Sequence, residues 1–76
     1  MFQELDLVAL SHKIQSLNLE QDDLGTIVFV HDKSHYEVEF VTAQGETIGV
    51  LTLSDEDIRP IEKREILHVR EIHAAT

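Results

Sequence analysis

The sequence predicts a mainly β domain: about five short strands, a single 3-10 turn and a C-terminal extension. Three observations carry that expectation. Residues 25–53, GTIVFVHDKSHYEVEFVTAQGETIGVLTL, hold three runs of β-branched and aromatic residues parted by two short polar segments. Residues 36–41 alternate apolar and acidic side chains, the period of a half-buried strand. Residues 5–10 and 58–61 supply two more short extended pieces on either side of that centre.

Leu5, Leu7 and Ala9 alternate with Asp6, Val8 and Leu10, so a first strand is expected over residues 5–10. Residues 11–19 are too polar for core and read as a loop anchored by Ile14, Leu17 and Leu19. The spacing of Ile14 and Leu17 admits one helical turn. Residues 20–25 turn the chain into the centre, with Gly25 expected at a bulge or tight bend.

Residues 26–30 and 36–41 are expected to form a hairpin across the polar segment 31–35. In a regular hairpin Val30 faces Tyr36, Val28 faces Val38 and Thr26 faces Phe40, while Phe29 pairs with Glu37 and Ile27 with Glu39. A slip of one residue would drive Glu37 and Glu39 into the core, so the register is strongly specified. The second turn, residues 43–46, contains Gly45, the residue suited to positive φ. Residues 48–53 return as the third strand of the meander.

That pairing places Ile27 and Phe29 on the face of Glu37 and Glu39, with Leu51 and Leu53 candidates for the same face. Strong curvature is one explanation, because a bent strand buries opposite faces at its two ends. An apolar, acid-rimmed contact surface is the other.

Ser54-Asp55-Glu56-Asp57 reads as a helix start, a serine cap with acids in the first turn. Pro60 stops any helix at once, so residues 54–58 are expected to be the single 3-10 turn. Ile58-Arg59-Pro60-Ile61 suits a short edge strand. The domain then spans residues 1–61, and residues 62–76 form the extension. As a helix the extension sets Ile66, Val69 and Ile72 near one face. As a strand it turns Leu67 and Val69 one way, and β-branching at Ile66, Val69 and Ile72 favours this second form. Residues 73–76 are expected to fray.

One strand, a long loop, three meandering strands, a tight turn and a last short strand is the element order of a small SH3-like barrel. There the fifth strand closes against the first and removes the sheet edges. The wording of the chain agrees: Leu5-Asp6-Leu7-Val8-Ala9-Leu10, then Leu19 followed by Asp23-Leu24-Gly25-Thr26-Ile27-Val28, then Tyr36-Glu37-Val38-Glu39-Phe40 ahead of Gly45, then Leu51-Thr52-Leu53 and Ile58-Arg59-Pro60. Together these resemble a family of small bacterial proteins, many cyanobacterial, that carries only a domain-of-unknown-function label. The resemblance covers about residues 3–61, and the tail resembles an extension of some relatives. The shared motifs build the barrel, so the resemblance implies a fold and carries over no catalytic residue. Where the family pattern has basic residues and a glycine before its Asp-x-Gly turn, this chain has Glu20, Gln21 and Asp22. That departure removes the basis for anion binding by the loop. The broader SH3-like class implies binding, not chemistry.

Composition narrows the function. Seventy-six residues make one domain near the lower limit for a self-sufficient core, and with no cysteine there is no disulfide staple. A cytoplasmic setting fits that cysteine usage. The first ten residues contain Glu4 and Asp6 and no basic start, unlike a signal peptide. No apolar run approaches the roughly 20 residues of a membrane span. The net charge of −9 is uneven. Twelve carboxylates against Lys13 and Lys33 leave residues 1–57 at −10, whereas residues 58–76 balance four basic against three acidic groups. Such a body repels phosphate backbones, so a nucleic-acid-binding barrel is disfavoured, and it suits a basic protein partner.

No catalytic constellation is visible. Ser34-His35 and Ser11-His12 are neighbours in sequence without a third group, so an enzyme is not expected. His31 and His35 flank the hairpin loop but lack a third ligand, and neither Asp22-Asp23 nor Asp55-Glu56-Asp57 has calcium-loop spacing; no metal and no cofactor is expected. Gly25, Gly45 and Gly49 are too dispersed to cradle phosphate. The aromatics are Phe2, Phe29, Tyr36 and Phe40; Tyr36 and Phe40 read as core, so a groove for proline-rich peptides is not expected. What remains is a non-enzymatic protein-interaction module, an antitoxin, immunity-type or accessory protein that occludes a basic partner. Its expected contact residues are Ile27, Phe29, Glu37, Glu39, Ile66, Val69 and Ile72. The alternative is a homo-oligomer assembled through the C-terminal extension.

Overall fold

The alternating segment HYEVEFV forms an interior strand of the computed structural model, which describes residues 2–73. The strands are β1 (Leu7–Leu10), β2 (Leu24–Val30), β3 (His35–Val41), β4 (Thr47–Ser54) and β5 (Ile58–Pro60). All pair antiparallel in one sheet of order β4-β3-β2-β1-β5. The expected pairing of the fifth strand with the first is present, Leu10 opposite Ile58 and Val8 opposite Pro60. The expected loss of edges is not: the sheet stays open, with β4 and β5 terminal.

Tyr36, Val38 and Phe40 of β3 point inward and are fully buried, packed with Val8, Leu10, Leu19, Ile27, Leu53 and Ile58. Leu53 and Leu51 belong to this inner side, not to the Glu37 and Glu39 face: Leu53 is core and Leu51 packs against it. The Tyr36 hydroxyl is satisfied at the core margin, donating to Asp55 Oδ1 at 2.8 Å in a bond shared with the Lys33 carbonyl at 3.0 Å.

The hairpin register departs from the regular one at a single residue. Val30 faces Tyr36 and Phe29 faces Glu37 as expected, but then Ile27 faces Val38 and Thr26 faces Glu39. Val28 is the extra residue of a β-bulge. The bulge lets Ile27 cross to the inner side, where its exposure is 0%, while Val28 and Phe29 stay in solvent. Burying one isoleucine contributes roughly 1.5–3 kcal/mol. It does so without turning Glu37 or Glu39 inward. The apolar–acidic mixture therefore resolves by a bulge that sends Ile27 and Phe29 opposite ways. A second shift between Phe40 and Val41 leaves Ile48 unpaired and resting on the core.

Other boundaries differ from expectation for local reasons. β1 begins at Leu7, because Leu5 takes φ 74° and Asp6 bonds back to Gln3. Gly25 lies within β2 opposite Val8, neither bulged nor bent; a Cβ there would stand 2.6 Å from Val38 Cγ1 and 2.8 Å from Phe40 Cε1. The 3-10 turn is Gln15–Leu17, not residues 54–58. Ser54 does behave as a cap, its N–H bonding Asp57 Oδ2 at 2.9 Å and its Oγ accepting from the Glu56 N–H at 3.3 Å. No helix follows, because Ile58 is drawn into pairing with β1 and is buried.

The extension is neither strand nor helix over its described residues. It is pinned by side chains: Arg59 bonds Glu65 at 2.9 Å, and Arg70 binds Asp23 and donates to the Asn18 carbonyl at 3.1 Å. Asn18 Nδ2 donates to the His73 carbonyl at 3.0 Å, and Ile72 packs against the core. The expected fraying of residues 74–76 lies outside the described residues.

Candidate functional site

The outer face of the sheet follows from the register. Directly paired residues share a face, which gives one row Phe29–Glu37–Thr52 and a second row Leu7–Thr26–Glu39–Val50. Phe29 is 50% exposed, and Leu7, Val28 and Val50 are also open to solvent. An apolar surface with two carboxylates set into it is the result.

Those carboxylates are held. Glu37 Oε2 accepts from Thr52 Oγ1 at 2.6 Å and from His31 Nε2 at 2.5 Å. The His31 ring in turn meets Phe29 edge-on, centroids 5.0 Å apart. The Thr52 hydroxyl, then the His31 bond, hold the Glu37 carboxyl below its ordinary range, so it stays ionised. Glu39 accepts from Thr47 Oγ1 at 2.9 Å. Side chains already locked in place lose little freedom when a partner arrives.

Phe29, Glu37 and Glu39 are thus brought together as expected. Ile27 is not part of the surface, since the bulge buries it. Ile66 and Val69 are exposed on the extension at 89% and 86%, but Ile72 turns inward, so these three do not form one face. Sequence reasoning missed Leu7, Val28, Val50, Thr52 and His31. Alternation along TIGVLTLS signals Val50 and Thr52 as one face, whereas nothing in the sequence marks the bulge at Val28.

The hairpin loop gathers a serine, a histidine and an aspartate without the geometry of a nucleophilic relay. Ser34 Oγ lies 3.2 Å and Asp32 Oδ1 3.1 Å from the same ring nitrogen, His35 Nδ1. A relay needs the nucleophile and the carboxylate on opposite nitrogens of the imidazole base. Here Asp32 instead accepts from the Ser34 N–H at 2.8 Å and closes the turn. His31 and His35 bond different carboxylates, and among the described residues no three potential metal ligands converge. No helix among them is long and apolar enough to cross a membrane.

Fold and surface define a small all-β domain, one five-stranded antiparallel sheet with a solvent-facing apolar and acidic side. Residues 4–60 match a domain of unknown function (DUF4926), and the chain belongs to that family. Comparison with curated proteins and comparison with solved structures each give no match.

Proposed function

We propose that this chain is a non-enzymatic protein-interaction module of the SH3-like kind that occludes a basic protein partner with the outer face of β2, β3 and β4. An antitoxin or immunity-type role in the cytoplasm is the form this takes. The observation that carries the reading is the half-exposed Phe29 beside Glu37 and Glu39, each carboxylate fixed by its own hydrogen bonds. An apolar anchor with rim charges is the arrangement that supplies affinity at its centre and partner choice at its border. The strand order β4-β3-β2-β1-β5 and the −10 body support it.

The test is recovery of a partner from the native host by tagged full-length protein and by Phe29→Ala. The wild type retains a basic partner that is released as salt rises, and Phe29→Ala loses it with an unchanged unfolding midpoint. Equal recovery by both proteins, or unfolding of the variant, overturns the proposal. A second reading, self-association through the extension, draws on the exposure of Ile66, Leu67 and Val69. Solution mass of the full chain against a chain ending at Ile61 decides it: a smaller particle number per assembly on truncation is the expected result, and no change refutes it.

A further inference from the structure

The two free edges of the sheet are unlike. β5 is three residues long and carries Arg59 and Pro60, a charge and a missing N–H that both discourage further pairing. β4 runs for eight residues, TIGVLTLS, with no charge and no proline, rich in strand formers. Among the described residues no hydrogen bond reaches residues 48–53 from beyond the β3 side. Proteins commonly blunt such an edge, so a long neutral one is a template for another strand.

We infer that the β4 edge takes up an extended, basic segment of a partner protein as a sixth, hydrogen-bonded strand. The occupant follows from charge. Glu46 precedes β4, Asp55 and Glu56 follow it, and Glu37 and Glu39 stand one strand inward on the outer face. Antiparallel pairing of two copies would bring the Glu46 end of each β4 against the acidic far end of the other, and two bodies of −9 against each other. A lysine- or arginine-bearing strand meets acids at both ends instead. Its outer-face side chains start about 10 Å, two strand spacings, from the Glu37 and Glu39 row. A basic side chain lying across Val50 or Thr52 and a glutamate reaching outward close that gap. This inference rests on the proposed basic partner and adds that backbone pairing holds it.

Calorimetric titration of the full-length protein with a ten-residue peptide of alternating lysine and valine tests it, beside the glutamate–valine counterpart and the lysine–valine peptide with N-methylated backbone. The expected result is binding of the unmodified basic peptide, at least about tenfold weaker binding once its amide donors are blocked, none of the acidic peptide, and slowed hydrogen exchange at the amides of β4. Equal binding of the methylated peptide, lost in Phe29→Ala, overturns edge pairing and leaves the outer-face reading standing. Absence of binding by the basic peptide at low salt overturns both. A dimer in solution whose β4 amides are already protected, and which excludes the peptide, overturns the inference in favour of a second copy.

Discussion

Adding one methyl group at each of two glycines separates a rigid neighbour from a yielding one. At Gly25 the new Cβ would meet Val38 Cγ1 at 2.6 Å and the Phe40 ring at 2.8 Å, and both of those side chains are buried. They have no room to retreat without displacing β3 from β2, so Gly25→Ala should cost about 1–3 kcal/mol as an overpacked site does. At Gly49 the nearest atom is closer still, Leu17 Cδ1 at 2.5 Å. That methyl, however, ends a flexible, half-buried side chain at the tip of a loop, and it can swing away. Loss of glycine's freedom in the unfolded chain adds about 0.4–1 kcal/mol in the variant's favour, so Gly49→Ala should fall near neutral. For a domain this size 1 kcal/mol moves the midpoint by about 4–8 °C, which predicts a fall of roughly 5–20 °C for the first variant and little change for the second. Thermal unfolding followed by circular dichroism reads both. A Gly25→Ala midpoint equal to wild type, or a larger loss at Gly49, would refute the packing argument.

Further predictions concern the bulge, the loop histidine and the extension. Ile27→Ala should destabilise by about 2–5 kcal/mol in urea unfolding, whereas Phe29→Ala should cost less than about 1 kcal/mol; the reverse order would mean the bulge is misplaced. His12 is held above its ordinary value by its bond to the Lys13 carbonyl and then by Asp57, at 2.7 Å. A raised histidine stabilises fully below the unfolded value of about 6.5, and that contribution is lost as pH rises through the folded value. Stability should therefore decline from pH 6 to 8 less steeply in His12→Asn than in wild type, and parallel profiles would contradict this. Although burial alone raises the Asp23 carboxyl, Arg70 and the Glu20 N–H bring it below its ordinary range. Arg70→Ala should lift that titration toward the usual value in carbon-detected NMR and speed proteolysis of the extension, at less than about 1 kcal/mol in global stability; an unmoved Asp23 titration would refute the pairing.

Much of the sheet was legible because its signals are local. Alternation in residues 36–41 fixed which side of β3 is core, and the polar segments around Asp32 and Gly45 marked both hairpin turns. Pro60 and Ile58 likewise read as a short strand that pairs with β1. What escaped depends on distant partners. A period of two admits no extra residue and sets Ile27 on the face of Glu37 and Glu39, and only the demand of the core for its side chain creates the bulge at Val28. The acidic cap at Ser54 promised a helical turn, but the pull of Ile58 into β1 outweighed it. The extension showed both helical and strand spacing, yet its anchors are Asp23, Asn18 and the core beneath Ile72, none of them adjacent in sequence. Of the candidate site, Phe29, Glu37 and Glu39 are readable and alternation along β4 marks Val50; Leu7 joins it only through register.

NMR shift mapping on the full-length protein, titrated with the lysine–valine peptide, tests the central claim most directly. Shifts gathered on the backbone of β4 and on Phe29, Glu37, Val50 and Thr52 are the predicted result. Shifts confined to residues 62–73 and the loop at Asn18 would contradict it.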